Sequence, residues 1–335
     1  MISNKSSSIV GTGSVLPGKP VTNDELVLTL KKKGVETSDK WIKERTGISQ
    51  RYIISSSDST SSLGLEAAKI AIKDAGIAVE EIDLVIVATT TPDHIFPSVA
   101  CYIQGQLGIK RGAAFDVQAV CSGFVYGLTI SDLFIKADQS SCALVIGAET
   151  LSDILNWQDR STCVLFGDGA GAALLSRSNS ESSILSTHLH SDGKHLKSLW
   201  MEAPGTSKDS WVNGSIDLSK FTPKMNGREV FRNAVTRFPE VINEALDANN
   251  LDINDIKFIV PHQANYRISE AIAKKLNIKM DKVISNIHKY GNTTAASIPI
   301  ALAEALESNK ISKGDIIILA AFGAGFTWAS AAIRW

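Results

Sequence analysis

A helix, a glycine or asparagine stop, a polar link and a β-branched strand follow one another twice in this chain. That repetition restricts the available folds more than any other feature. Within residues 61–87, Leu63 to Ala75 has helical spacing, Gly76 ends it, Glu80-Glu81 lie in the link, and Leu84-Val85-Ile86-Val87 reads as a strand. Within residues 235–260, Val241 to Ala248 is the helix, Asn249-Asn250 the stop, Asn254-Asp255 the link, and Lys257-Phe258-Ile259-Val260 the strand. Each strand leads into a polar or proline-containing stretch and another helix, closing on Leu107-Gly108-Ile109 in one copy and Leu276-Asn277-Ile278 in the other. The letters diverge but the order is kept, as an old internal duplication would leave it.

Helices alternating with β-branched runs point to an α/β fold with parallel sheet in both halves. Further buried strands are expected at Ala143-Ile146, Cys163-Phe166, Asp315-Ala320 and Ala329-Ile333. The Ser-rich run from Arg177 to Ser186 reads as a surface connection, which divides the chain into halves 1–178 and 179–335. A single α/β domain with chance similarity is the alternative. His188 to Arg228 has little periodicity and exceeds an ordinary connection, which suggests a lid or binding loop.

A chain of 335 residues with 44% hydrophobic content can bury a large core without cross-links. Its 34 basic and 35 acidic residues balance, so there is no electrostatic case for nucleic acid, and a polyanionic partner would need a local basic patch. No run of about 18 uncharged apolar residues spans a membrane, and Met1 to Ser8 is not a signal peptide, so a cytoplasmic location is expected. The four cysteines lack the pair spacing of a zinc site, and three of them (Cys101, Cys142, Cys163) are expected to be small buried hydrophobes. His188, His190 and His195 have no acidic or thiol companion in ligand spacing; they are assigned to a polar loop and no metal is expected. Gly167 to Ala172 resembles a phosphate loop but lacks the following Lys-Ser/Thr, and reads as a tight turn.

Cys121 is the exception among the thiols. The strand-like Ala114-Phe115-Asp116-Val117 precedes it, and Val125, Leu128, Ile130 and Leu133 after it form a buried helical stripe. It therefore stands at a helix N-terminus, where free amides and the helix dipole favour a thiolate. Among six histidines, His262 follows the strand ending at Val260, beyond the C-terminal end where open sheets present ligand-binding residues. It is expected in a cleft, carrying little packing, or else merely caps the next helix. Asn292, in Tyr290-Gly291-Asn292-Thr293-Thr294, is either a turn residue or a neutral amide donor to an oxygen that gains charge.

Asp116 to Leu128 around Cys121, His262 to Ile268, and Tyr290 to Pro299 together resemble the 3-oxoacyl-[acyl-carrier-protein] synthase III family of the thiolase superfamily. Gly167 to Ala172 and the closing Phe322 to Trp328 resemble it too, and the likeness extends from about Val10 to Trp335. It implies a duplicated five-layered α-β-α-β-α fold, a homodimer, and an acyltransferase that starts acyl chains. In that chemistry an acyl-CoA acylates Cys121, CoA leaves, and malonyl acyl carrier protein is decarboxylated and condensed to 3-oxoacyl carrier protein. Coenzyme A is thus a substrate and no cofactor is implied. His262 and Asn292 would bind the enolate, and the backbone amides of Cys121 and Ala324 the tetrahedral oxyanion. The family usually has glycine where this chain has Ala324, so the backbone there is expected to lie in an ordinary region.

The resemblance assigns Trp41, Arg45 and Arg160 to the adenine and phosphates of CoA and Asn265 to CoA binding, and it sets Gly227-Arg228, where the family commonly has Gly-Asn, near the pantetheine arm, with Arg228 able to reach the CoA phosphates or the carrier protein. Read alone, Trp41 is equally a core-packing residue of an amphipathic helix, and Arg228 a surface arginine. Arg228, Arg267, Lys274 and Lys275 would dock the carrier protein, whereas Lys31 to Lys33 reads as a solvated helix end. Phe96 matches a position that crosses the dimer interface to close the partner's acyl pocket. Two other readings stay open: acyl transfer from CoA to a different acceptor, and a non-catalytic acyl-binding protein.

Overall fold

The computed structural model describes residues 6–178, 181–202, 211–212, 215–216 and 220–335. Part of the expected His188 to Arg228 loop, residues 203–210, 213–214 and 217–219, lies outside them. Two sheets carry the fold. The first contains β1 (Ser6–Val15), β2 (Leu84–Ala88), β3 (Ala113–Val117), β4 (Cys142–Glu149) and β5 (Gly169–Ser178), in the order β1-β5-β4-β2-β3. The second contains β6 (Ser183–Ser191), β7 (Ile256–Pro261), β8 (Ile316–Gly323) and β9 (Thr327–Arg334), in the order β6-β9-β8-β7.

Four strands of the first sheet correspond in order to the four of the second, and β3, parallel to β2, has no full counterpart. In each sheet two strands pair in parallel (β2 with β4, β7 with β8) and antiparallel strands complete it (β5 and β1, β9 and β6). A lone parallel bridge from Ile259 to Val283 stands where β3 pairs in the first half. The duplication is therefore borne out, while the expectation of parallel sheet is corrected: both sheets are mixed.

Helices set the layers. The helices α4 (Gly123–Lys136) and α7 (Ser297–Glu307) lie between the sheets, and one core joins their Phe124, Leu128, Ile298 and Leu302 to Ile86, Val145, Ile317 and Ile333 from both sheets. Outside the first sheet pack α2 (Thr60–Ala75) and α3 (Val99–Leu107); outside the second pack α5 (Gly227–Ala248) and α6 (Tyr266–Lys275). The result is α-β-α-β-α. Burial on both faces explains why the strands read as continuous apolar runs rather than alternations.

Several local expectations change. Cys163-Phe166 is no strand: Arg160–Cys163 is a short helix whose N-terminus Asp159 caps by accepting from the Ser161 N–H. A four-residue apolar run has no period that separates strand from buried helix. Gly169 to Ala172 accordingly opens β5 rather than forming a turn. Before it, the buried Asp168 carboxylate accepts from the N–H groups of Ile54 and Ser152 at 2.8 and 2.9 Å. The helix expected from Val241 starts at Gly227, because charged residues and Pro239 mask its first half.

β5 and β6 extend into the supposed Ser-rich connection. His188 and His190 lie on β6, not in a loop, and both meet Glu244 of α5, at 3.3 and 2.6 Å; His195 meets Glu229 at 2.7 Å. These histidines do have acidic companions, which α5 brings from far along the chain by packing near them, yet among the described residues no group is arranged to hold a metal. Cys142 and Cys163 are buried as expected, but Cys101 is exposed on α3 beside β3, an edge strand. No helix among the described residues is long and apolar enough to cross a membrane.

Candidate active site

The central helices begin with matching turns. Val120–Ser122 forms a short 3-10 turn into α4, and Thr294–Ala296 forms one into α7. Two β-branched residues, Val120 and Thr294, hold positive φ there, which such side chains rarely adopt. Cys121 sits in the first turn and Asn292 just before the second, so the duplication itself brings them together. His262 directly follows β7, and its N–H donates to the Ala320 carbonyl of β8 at 2.8 Å.

A cavity of about 340 Å³ is lined by Cys121, His262 and Asn292 together with Trp41, Arg45, Gly227 and Asn265, and by apolar Leu199, Met225, Phe231, Phe238 and Phe322. Sequence reasoning did not find this apolar wall, because its residues come from separate elements. Around Cys121 the packing is close. A side chain at Gly323 would put its Cβ 2.8 Å from the Cys121 amide nitrogen, so only glycine fits. In the adjoining turn the positive φ falls on Gly325, not on Ala324, as expected from the substitution. Ser122 Oγ donates to the Thr327 carbonyl and Thr327 Oγ1 to that of Ala119, at 3.1 and 3.0 Å, which ties the Cys121 turn to the second half.

Electrostatics differ from the sequence expectation at Cys121. Burial pushes its thiol well above the ordinary range, Glu149 adds to this, and its own backbone amide opposes it only partly. The helix-terminal position is real, but desolvation outweighs it. Cys121 thus rests as a thiol. Burial likewise lowers His262 from 6.5 to about 3, with a weaker contribution from the Thr294 backbone working the other way. His262 is neutral and lines the cavity, as expected, but it is only 2% exposed, which corrects the expectation that it carries little packing; its Nδ1 is 2.7 Å from Ser297 Oγ. The Asn292 side-chain oxygen accepts from the Thr294 N–H at 2.9 Å.

The other expected residues are spread more widely. Trp41 and Arg45 share the helix α1 (Asp39–Thr46), capped by Ser38, and the Arg160 guanidinium lies 4.4 Å over the Trp41 ring. Arg160 also donates to the Glu36 carbonyl at 2.9 Å. Asn265 caps α6, and its amide donates to the Arg45 carbonyl at 3.0 Å, joining two elements of the cavity mouth. Arg228, Arg267, Lys274 and Lys275 are exposed and do not line the cavity. Phe96 is also outside it, 84% exposed. Glu149, Ser297 and Thr294 were missed. Glu149 left one signal, a carboxylate ending a buried apolar run.

Residues 115–193 match the family model for 3-oxoacyl-[acyl-carrier-protein] synthase III, and residues 246–335 match that for its C-terminal part. The β-ketoacyl-[acyl-carrier-protein] synthase III of Rhodospirillum centenum is 51% identical over 333 residues, 98% of this chain and 99% of that protein. That of Ehrlichia chaffeensis is 51% identical over 331 residues, with 98% and 99% covered. The crystal structure of the Aquifex aeolicus synthase III superimposes with a TM-score of 0.90 at 44% identity, covering 98% of this chain and all of that one. With this conservation over nearly its whole length and a duplicated fold around Cys121, the chain belongs to the 3-oxoacyl-[acyl-carrier-protein] synthase III family of condensing enzymes in the thiolase superfamily.

Proposed function

We propose that the enzyme performs the decarboxylating Claisen condensation that starts an acyl chain, with an acyl-CoA as primer and malonyl acyl carrier protein as extender. The single cavity that joins Cys121, His262 and Asn292 carries this reading. Cys121 sulfur attacks the thioester carbonyl, the bond to CoA sulfur breaks, and the thiol proton leaves with CoA. Backbone amides of Cys121 and Ala324 would receive the oxyanion, with Gly323 permitting their approach.

In the second half-reaction the malonyl carbon–carboxylate bond breaks and its electron pair forms an enolate. The Asn292 side-chain oxygen is engaged by Thr294, which leaves its NH₂ group as donor. His262, with Nδ1 taken by Ser297, offers Nε2. A depressed pKa suits this role, because a neutral imidazole donates a hydrogen bond without giving up its proton. The enolate carbon then attacks the Cys121 thioester and expels the thiolate, which is reprotonated.

Trp41, Arg45 and Arg160 are assigned to the nucleotide end of CoA, and Gly227, Arg228 and Asn265 to its approach. A purine stacking on Trp41 would have to displace Arg160 from the ring. The exposed Arg228, Arg267, Lys274 and Lys275 are assigned to carrier-protein docking. A homodimer formed along the β3 edge, and the division into halves at residues 178 and 179, belong to the same reading. Exposed Ile95, Phe96, Tyr102 and Leu133 support the dimer, since an uncovered sheet edge flanked by apolar side chains invites pairing.

The test is to incubate the protein with acyl-CoAs of several lengths, weigh the adduct on Cys121, then add malonyl carrier protein and measure carbon dioxide. No adduct at any length overturns the enzyme assignment of Cys121. An adduct without decarboxylation favours transfer to another acceptor.

A further inference from the structure

Glu149, the last residue of β4, is fully buried and has no cation acting on it among the described residues. Its carboxylate accepts from the Thr90 N–H and hydroxyl, at 3.0 to 3.2 Å, and from the Thr91 hydroxyl at 2.9 Å. Burying a carboxyl group without a counter-charge is costly, and a neutral side chain would fill this space at lower cost. Its position explains its presence. The Thr294 hydroxyl is buried without a hydrogen-bond partner, and it is among the groups that bear on the Glu149 carboxyl. Thr294 also donates its N–H to Asn292, and its backbone acts on the His262 ring. It does all this at φ 46°, a backbone state that a β-branched residue keeps only when its surroundings impose it.

Two residues before Glu149, a side chain at Gly147 would bring its Cβ 2.4 Å from the Ala295 carbonyl oxygen. The end of β4 therefore presses on the same turn through its backbone. We propose that Glu149 is a positioning residue for the condensation step, an anchor beneath the Thr294 turn that sets where the Asn292 and His262 donors point. This rests on the functional reading above and extends it to a residue outside the cavity lining. Of the titratable groups on the elements around Cys121, Glu149 acts on the thiol and His262 shares its cavity. Removing the carboxyl charge therefore has a second, independent readout.

The test uses Glu149→Gln, which keeps the shape, and Thr294→Val, which removes only the hydroxyl. Four quantities are measured: acetyl-CoA loading of Cys121, carbon dioxide release from malonyl carrier protein by the loaded enzyme, the pH profile of Cys121 alkylation by iodoacetamide, and melting temperature. Both variants should load Cys121 at least as fast as wild type does and release carbon dioxide at least tenfold more slowly. The alkylation profile should move to lower pH in Glu149→Gln and stay in place in Thr294→Val. Release within twofold of wild type in the folded variants overturns the inference, as does loading that falls in step with release and melting temperature. If Glu149→Gln does not fold, Thr294→Val decides on release alone. A wild type that releases no carbon dioxide overturns the functional reading itself, and the inference with it.

Discussion

Val120 and Thr294 carry the same backbone distortion, φ 48° and 46°, at the same point of two halves that share few letters. Each lies at the turn into a central helix, one beside Cys121 and the other beside Asn292. Positive φ costs a β-branched residue about 1–2 kcal/mol, and asparagine tolerates it better. Val120→Asn should therefore raise stability by about 1 kcal/mol while Cys121 still takes an acyl group. Denaturant midpoints and adduct mass check this; an unchanged or lower midpoint would show that the distortion is not stored as strain.

Replacing Asn292 by Asp keeps the shape and the bond from Thr294 but removes the donor. Decarboxylation should fall by about 10²–10³-fold, the usual cost of losing one such donor, with acylation of Cys121 retained. Single-turnover carbon dioxide release against adduct formation separates the steps; equal losses in both would count against the assignment.

His262→Ala should impair both chemistry and stability. The histidine is buried and bonded to Ser297, so truncation leaves a polar hydroxyl less satisfied and should cost about 1–3 kcal/mol by chemical denaturation. Wild-type condensation by that variant would remove His262 from the mechanism.

The same burial makes a pH prediction. A histidine whose pKa falls from 6.5 to about 3 on folding contributes stability that is present above pH 6.5 and is lost as pH falls through 3. Glu149 works in reverse: its value rises from 4.5 to about 7, so its contribution is present below pH 4.5 and is lost as pH rises through 7. Relative to His262→Asn, wild type should lose stability as pH drops from 6.5 toward 3; relative to Glu149→Gln, it should lose stability between pH 4.5 and 7. Urea midpoints over this range test both, and parallel curves for wild type and either variant would refute that part.

Gly323→Ala and Ala324→Gly form a contrasting pair. The first drives a methyl group onto the Cys121 amide and should slow acylation by at least about tenfold. The second changes a residue with no positive φ, and acylation should stay within about twofold. Rates of adduct formation distinguish them; tolerance of the first would mean that the turn moves freely away from Cys121.

What the sequence revealed depended on how local the signal was. Cys121 and Asn292 were legible because each is set by a strand or turn running into a helix within about ten residues, and His262 because it ends a strand. Glu149 was not, since its meaning comes from Thr90, Thr91 and Thr294, which converge only in the folded chain. His188 and His190 looked like loop residues because their partner Glu244 is more than fifty residues away and reaches them only through packing of α5 on β6. The Cys163-Phe166 run was misread for a different reason: burial made helix and strand look alike.

The bonds from Ser122 to Thr327 and from Thr327 to Ala119 span 205 and 208 residues. During synthesis Cys121 therefore leaves the ribosome long before the hairpin of β8 and β9 that packs on its turn exists. The surroundings of Cys121 take their shape only when that hairpin is in place. On the proposed mechanism, acylation of Cys121 would then report that β8 and β9 have folded against it.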